Sequence, residues 1–491
     1  MIGNRCLVAL LLSTVLMPMA SHGQNAFEQY RKQKQQQFSD YMERKQRDFD
    51  EYRRQKNAEF AEYMRQKWPE YESKPAEPVP DSPEPPVPTV KPPGLLPSDD
   101  PVPFDNVIPA PQPVEPPQPV VPLPQPEVPV KPTFAFSYYG QHCQVSLEDK
   151  HRFTLGNISE NAVADGWMTL SADKYLPIVA QCLDYRDKLR LCDWGYVRFV
   201  EKMTTAFFPS SQLNEARLMQ MYILTQSGYK VRISQVGNKL VLLLPSEDTI
   251  YQYAYLSIGN CNYYLADPSL GEVSLKVFDK EFPKEQLFSL RMYEPPMLPA
   301  NNTASHLLQS KHDEELSLKV SINKNIIDFY NDYPLSSHWD IYSNASLDKA
   351  TKQQLYPVLR NAIAGKSKTT AANMLIHFVQ TAFEYATDDD QFGYERPLFA
   401  DETLYYPYSD CEDRAILYLI LVRELLGLDV VLLHYPGHLA TAVCFDTEVT
   451  GDYLQIDGKR YIVCDPTYIN ADIGQAMPQY KQTKANVIRV K

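Results

Sequence analysis

Apolar residues along the chain fall into four regimes of spacing. A short apolar run at 7–16 follows Arg5 and gives way to Ser21-His22-Gly23. A positive start, a brief apolar core and small residues after it predict a secretory leader over 1–23, too short to stay as a membrane span. From position 27 the spacing becomes a strict repeat. Phe27, Phe38, Phe49 and Phe60 open the units, and Tyr30, Tyr41, Tyr52 and Tyr63 follow three positions later. Eleven positions over three helical turns is about 3.67 per turn, so the rings keep to one face. The intervening Glu, Gln, Lys and Arg favour helix, and a long helix or coiled coil is predicted over 24–73. Lys34, Lys45, Lys56 and Lys67 stand where a third core residue would fit, and Trp68-Pro69 ends the pattern.

The third regime, 74–133, has no periodicity; 23 of the 40 prolines lie between 75 and 132. Proline cannot donate to a hydrogen-bond ladder, so this linker is predicted to be an extended, polyproline-like spacer. The fourth regime starts near Phe134 and mixes helical and strand patterns, which predicts an α+β fold. It also repeats itself. Phe199-Val200-Glu201 resembles Phe378-Val379-Gln380, Asn214-Glu215-Ala216-Arg217 matches Cys411-Glu412-Asp413-Arg414, and Gly237-Asn238 matches Gly437-His438. Ala266-Asp267-Pro268-Ser269 matches Cys464-Asp465-Pro466-Thr467. Two related domains are therefore expected, 134–292 and 303–491, joined through Glu294-Pro295-Pro296, with 303–320 as polar helix or loop.

In the later domain, helices are predicted at 349–364 and 371–385. Ser409 with Glu412 three positions on reads as a capping box before the apolar run Ile416-Leu417-Tyr418-Leu419. That helix should end near Gly427. Val430-Val431-Leu432-Leu433 suits a buried strand, and Leu439 to Val443 a second. Arg460 to Cys464 makes a third, entered by an Asp457-Gly458 turn. Residues 487–490 are expected to add an edge strand.

Composition narrows the chemistry. A net charge of −13 argues against nucleic acid as a partner. Beyond the leader the chain has seven cysteines; an odd number in an exported protein leaves at least one thiol free. Cys444 and Cys464 are not expected to pair. If His438 and Asp465 face each other across antiparallel strands, residue 444 lies opposite about 459 and Cys464 points to the other face. No Cys/His spacing suits zinc, and no metal or other cofactor is expected. Asp388-Asp389-Asp390 opens the insertion 386–408 and reads as a solvated loop rather than a calcium site. The insertion itself reads as a wall or lid of a cleft.

The candidate site is Cys411, His438 and Asp465, evenly spaced along the chain. A thiol in the first turn of a helix meets free N–H groups and the positive end of the dipole, which favour thiolate. An imidazole and a carboxylate on neighbouring strands complete the parts needed for a nucleophilic cysteine. Residues Asp410-Cys411-Glu412-Asp413-Arg414-Ala415, Gly437-His438 and Cys464-Asp465-Pro466-Thr467 resemble the catalytic core of the transglutaminase-like superfamily, papain-related enzymes of chain order Cys, His, Asp. The resemblance covers about 320–491. It implies a cysteine-bearing helix packed on an antiparallel sheet, with Cys411 as nucleophile, His438 as base and Asp465 as orienting acid. It also favours His438 over the competing His434; Asp457, which competes with Asp465, is explained by its turn. The oxyanion would meet the Cys411 N–H, with Tyr405, Tyr406, Tyr408 or Gln380 as candidates for a second donor. On the same resemblance, the earlier domain is a degenerate copy whose triad has become Asn214, Asn238 and Asp267.

The leading expectation is an exported cysteine enzyme of periplasm or cell envelope. It would form a thioester with a protein or peptide amide and pass the acyl group to water or to an amine. Against it stand a non-catalytic envelope binding or scaffold protein of the same fold, and a structural protein whose functional part is the aromatic helix. That helix would touch an envelope surface or form an oligomer through residues 24–68.

Overall fold

The computed structural model describes residues 21–79, 89–112, 115–119, 131, 133–336 and 338–490. The leader expected over 1–23 lies almost wholly outside these residues. Among the described residues, no helix is long and apolar enough to cross a membrane. The chain divides into two compact units, 1–55 and 56–491.

The helix expected from the aromatic repeat runs Ser21–Met64. Within the first unit its aromatic stripe faces outward: Phe27, Tyr30, Phe38 and Tyr41 are all at least half exposed. In the first two repeats the lysine lies over the tyrosine one turn before it, Lys34 on Tyr30 and Lys45 on Tyr41, at 5.7 and 5.9 Å. The repeat's final copy is different, because it belongs to the second unit and is buried there. Phe60 is 3% exposed and meets Trp167, Phe278 and Phe282 at 4.9–5.5 Å between ring centres. Helix was expected as far as residue 73, but it stops sooner. Trp68 docks on Phe278, and beyond Pro69 the residues Glu70–Glu72 pair with Ser274–Val277 as a strand.

The second unit is α+β, built on two six-stranded sheets that are antiparallel but for one edge strand. In the first, the order runs Glu70–Glu72, Ser274–Val277, Arg232–Val236, Lys239–Ser246, Cys261–Leu265, Tyr255–Ile258. In the second it is Phe104–Ile108, Ala485–Arg489, Asp429–Tyr435, His438–Cys444, Lys459–Cys464, Tyr453–Ile456. Position for position, the two orders correspond. In each, the helix just before the third strand, Leu213–Gln226 or Cys411–Leu426, packs on the sheet's inner face. Both helices contribute to one large core.

Each sheet also has an apolar outer face, and this explains where the proline-rich segment goes. On the second sheet Val431, Leu433, Ala442, Leu454, Ile456, Val463 and Val487 form an outer cluster that takes in Val102 and Phe104. Leaving such a face to water would forfeit burial worth about 25 cal/mol per Å². The described parts of 74–133 cover the unit instead of standing away from it, contrary to the spacer expectation. Phe104–Ile108 joins the second sheet parallel to Ala485–Arg489, Lys91 N–H donates to Ile469 O at 2.9 Å, and Pro117 O accepts from Arg186 at 2.8 Å. Proline suits this position, because an edge strand needs donors on one side only.

Four further expectations change. Ala485–Arg489 is an inner strand, since Phe104–Ile108 lies outside it. The polar stretch 303–320 forms a hairpin, His306–Gln309 with Ser317–Val320, burying Leu308, Leu318 and Val320. The helix expected at 371–385 spans Lys368–Thr381, and Glu384–Tyr385 forms a short parallel pair with Tyr408–Ser409. The Asp run opens a helix instead of a loop, with Asp388 buried and Asp389 and Asp390 exposed; the insertion holds helices Asp388–Phe392 and Ala400–Tyr405, the second packed on the cysteine helix.

Phe60→Ala should lower stability by about 3 kcal/mol or more, because it opens a cavity among three rings. Phe38→Ala, at a position 65% exposed, should change it by less than about 0.5 kcal/mol. Thermal denaturation of the two variants checks the contrast.

Candidate active site

The helix Cys411–Leu426 starts one position away from the expected cap. Asp410 is its N-cap and donates its N–H to Asp413 Oδ2 at 3.4 Å, where Ser409 and Glu412 were expected to act. Ser409 Oγ instead accepts from Arg414 Nε at 3.1 Å. The helix ends at Gly427, whose φ of +63° gives the left-handed turn expected of a C-terminal cap.

After Gly427 the chain enters Asp429–Tyr435, turns at Pro436-Gly437, and returns as His438–Cys444 with Tyr435 opposite His438. The strand Lys459–Cys464 pairs on the far side, Thr441 opposite Cys464, and follows a tight turn in which Asp457 and Gly458 both have positive φ. The pairing is displaced by two positions from the one expected, so 441, not 439, faces 464. The displacement is even, and therefore keeps every side chain on its expected face. Cys444 packs with the outer cluster and Cys464 with the inner core, and both are free thiols.

This register carries the Asp465 carboxylate to the imidazole. His438 Nε2 and Asp465 Oδ2 are 2.8 Å apart, and both side chains are almost fully buried. Asp465 Oδ1 accepts from Thr467 N at 3.0 Å. His438 Nδ1 is buried and has no hydrogen-bond partner among the described residues. The next residue, Leu439, offers its backbone N–H to the sulfur of Cys411. The three expected residues thus lie at one place: the aspartate holds one ring nitrogen, the other is unengaged, and the sulfur sits against the strand that bears the ring. His434, the competing base, has its ring 5.8 Å from Trp339 and no carboxylate bond among the described residues. Asp457, exposed at its turn, pairs with Arg489.

Three residues that sequence reasoning left out, or gave another role, shape the site. Tyr480 stacks on His438, ring centres 4.7 Å apart at 18°. Burial, then the Cys411 sulfur and the Asp465 carboxylate, push its phenol up to about 12, so its hydroxyl stands near both. Tyr435 stacks on the same imidazole at 6.2 Å. Gln380 was a candidate oxyanion donor, but its amide is committed elsewhere. Nε2 donates to the carbonyls of Asp465, Tyr468 and Ala471 at 3.3, 2.8 and 3.0 Å, and Oε1 accepts from Asn470 N at 3.1 Å. It clamps the loop that presents Asp465. Among the tyrosine candidates, the Tyr406 hydroxyl donates to Asn331 at 3.2 Å and Tyr408 is exposed.

The electrostatics around the sulfur differ from the expected thiolate-favouring helix tip. Cys411 is 3% exposed and donates its thiol hydrogen to Glu412 Oε2 at 3.0 Å. Burial, then the charges of Glu412 and Asp410, push the thiol well above its ordinary range. A helix dipole contributes about half a unit charge at its end, and two adjacent carboxylates outweigh it. Burial and the charges of Asp413 and Glu412 likewise push the Asp388 carboxyl up to about 10.

The corresponding place in the first sheet has different chemistry. Gly237-Asn238 is the hairpin turn between Val236 and Lys239, so Lys239, not Asn238, stands where His438 stands. Asn214 Oδ1 accepts from Leu240 N at 2.8 Å, and Asp267 is satisfied by Ser269 at 2.6 Å. Among the described residues, no imidazole–carboxylate pair forms there.

Gln380→Ala would leave three buried carbonyls without their donor, a loss of about 2–4 kcal/mol. The expected result is a lower Tm with faster amide exchange confined to 465–471, read by hydrogen–deuterium exchange. Compared with protein-family models, curated proteins and solved structures, the chain matches none of them.

Proposed function

We propose that the chain is an exported cysteine enzyme with a transglutaminase-like core in residues 303–491, acting on an amide of a protein or peptide. The observation that carries this reading is the His438–Asp465 pair at 2.8 Å, which leaves Nδ1 unengaged beside the strand residue that meets the Cys411 sulfur. With Nε2–H donating to Asp465, the lone pair lies on Nδ1, the nitrogen a general base would use. In the proposed reaction His438 Nδ1 takes the Cys411 proton as sulfur bonds to the acyl carbon. The amide C–N bond then breaks, and the amine leaves carrying that proton. Water gives a proton to Nδ1 and attacks the thioester, releasing a carboxylic acid and restoring the thiol. An amine in place of water would make the same chain a cross-linker; hydrolysis is the favoured outcome, because water is abundant outside the cell.

The matching strand orders of the two sheets support reading 134–292 as a duplicated, inert copy. A second functional reading, a binding or scaffold protein, draws on the thiol's hydrogen bond to Glu412 and its upward shift, both unlike a poised nucleophile.

Alkylation with iodoacetamide near neutral pH separates the two. Preferential capture of Cys411 over the other six thiols, reduced at least tenfold by His438→Ala, is expected of the enzyme. Slow labelling that ignores the histidine would favour the scaffold. A mass-spectrometric search for envelope peptides altered by wild-type chain and not by Cys411→Ala would then identify the substrate.

A further inference from the structure

In the second sheet the Gln380 amide closes the loop after Asp465 against its helix. Glu201 holds the matching position in the first half, within Phe199-Val200-Glu201, and a carboxylate has no hydrogen to give a carbonyl. The loop after Asp267 is tied elsewhere, Ser73 Oγ donating to Gly271 O at 3.2 Å. Beside Glu201 lies a cavity of 490 Å³. Its walls are the helices Asp193–Phe207 and Leu213–Gln226, residues 251–253 and 266–268, and Tyr394 and Arg396 of the insertion. Sites for small ligands run from about 300 to 1,000 Å³.

Three guanidinium groups and three carboxylates line this space, so their formal charges balance. Arg198 and Arg217 share the carboxylate of Glu201, the second at 2.9 Å; Arg198 also reaches Asp332 at 3.5 Å, and Arg396 pairs with Glu402 at 2.5 Å. A phosphate or carboxylate ligand would need cationic charge not already answered by an acid. Hydrogen-bonding capacity remains nonetheless. Arg396 is 6% exposed, and its Nη1 has no hydrogen-bond partner among the described residues, nor has Nε of Arg198. The hydroxyls of Tyr251, Tyr253 and Tyr394 are likewise engaged by none of the described residues. Main-chain groups of the 251–254 wall, by contrast, are taken. Tyr251 N donates to Leu335 O at 3.0 Å, Gln252 N to Glu77 O at 2.9 Å, and Ala254 O accepts from Leu265 N at 2.9 Å. An extended peptide binds by main-chain pairing and would find these groups occupied.

We propose that this cavity is a binding site for one or two residues of a neutral glycan. Each sugar hydroxyl is one donor and two acceptor sites at once. A guanidinium–carboxylate pair such as Arg217 with Glu201 sets donors and acceptors side by side, which serves a hydroxyl without demanding a charge from the ligand. The C–H face of a pyranose ring is apolar and suits the face of an aromatic side chain, while a phenol tip can bond its hydroxyls. Trp194 and Tyr253, ring centres 6.5 Å apart, and the exposed Tyr394 supply such groups. The site is built from the first half of the molecule and the insertion, and it does not depend on the enzyme reading given above. It would give the half without an imidazole–carboxylate pair a use of its own, that of holding a saccharide.

The test applies the full-length chain to an array of immobilised neutral oligosaccharides of glucose, galactose, mannose and N-acetylglucosamine, with uronate-containing glycans and peptides as the other arms. Calorimetry with the free form of the best-bound oligosaccharide follows. Neutral glycans are expected to bind on the array and, with one-to-one stoichiometry, in solution. Tyr253→Ala should weaken that binding at least tenfold. Tyr394→Ala, at a position 42% exposed, should weaken it at least threefold and leave Tm unchanged. Cys411→Ala should bind as wild type does, since its sulfur lies outside the cavity. No signal from any neutral glycan, a signal that vanishes in solution, or binding that both tyrosine variants leave intact refutes the site. Stronger binding of uronate glycans or of peptides refutes the neutral-sugar assignment. Were Tyr253→Ala not to fold, Tyr394→Ala decides the matter alone. Neutral-glycan binding by Cys411→Ala alongside unselective thiol labelling of wild type would uphold the site and reject the enzyme reading.

Discussion

Two side chains far apart along the chain meet because neighbouring antiparallel strands place the start of one beside the end of the other. His438 opens its strand and Asp465 follows the last residue of the next, so the sheet itself delivers a 2.8 Å contact inside the protein. A buried imidazole and carboxylate are worth keeping together only if the surroundings hold them still. Gln380 supplies that restraint from the helix beneath, gripping three carbonyls of the loop after Asp465, while Tyr480 closes over the imidazole face. Remove the register and no local feature would bring these groups into one place.

The cysteine is placed by a different rule, and the two rules conflict. Starting the helix at residue 411 points the sulfur at the strand of His438, as nucleophilic chemistry requires. The same start needs an N-cap and an acidic first turn, which Asp410, Glu412 and Asp413 provide. Acidic residues there stabilise a helix by about 0.3–1 kcal/mol each when solvated. Buried, they crowd the sulfur with negative charge. What helps the helix thus opposes the thiolate, and the opposition is a consequence of burial rather than of residue choice alone.

Much of the core of 303–491 was legible from residues 409–467. The apolar run after the cap, Gly427, the Asp457-Gly458 turn and the three strands follow from local rules that act over a short stretch of chain. The cap itself was displaced by one position, because Ser409/Glu412 and Asp410/Asp413 both fit the same spacing. Only tertiary contacts choose between them: Arg414 takes Ser409, and Leu398 holds Asp413. Nothing local marks Tyr480 or the clamp of Gln380, since both act on groups remote from them in sequence. The course of the proline-rich segment did leave a trace. The run Val430-Val431-Leu432-Leu433 does not alternate, which means both faces of that strand are covered. Helices account for one face only, and the segment around Val102 and Phe104 is the other cover.

The paired sheets carry different polar groups at corresponding places. A shared strand order supplies the same scaffold twice, with a helix leading into the third strand each time. In the first, the strand after the turn begins with exposed Lys239, Asp267 bonds to Ser269, and Asn214 is spent holding Leu240. Each of these polar groups is satisfied locally or by solvent. In the second, His438 Nδ1 and both oxygens of Asp410 are buried without partners among the described residues. Unsatisfied buried polar atoms cost about 1–3 kcal/mol each, whereas Asn214 and Asp267 at the corresponding place in the first sheet are both engaged. An imidazole nitrogen left unpaired beside the cysteine strand is a cost that packing alone does not explain.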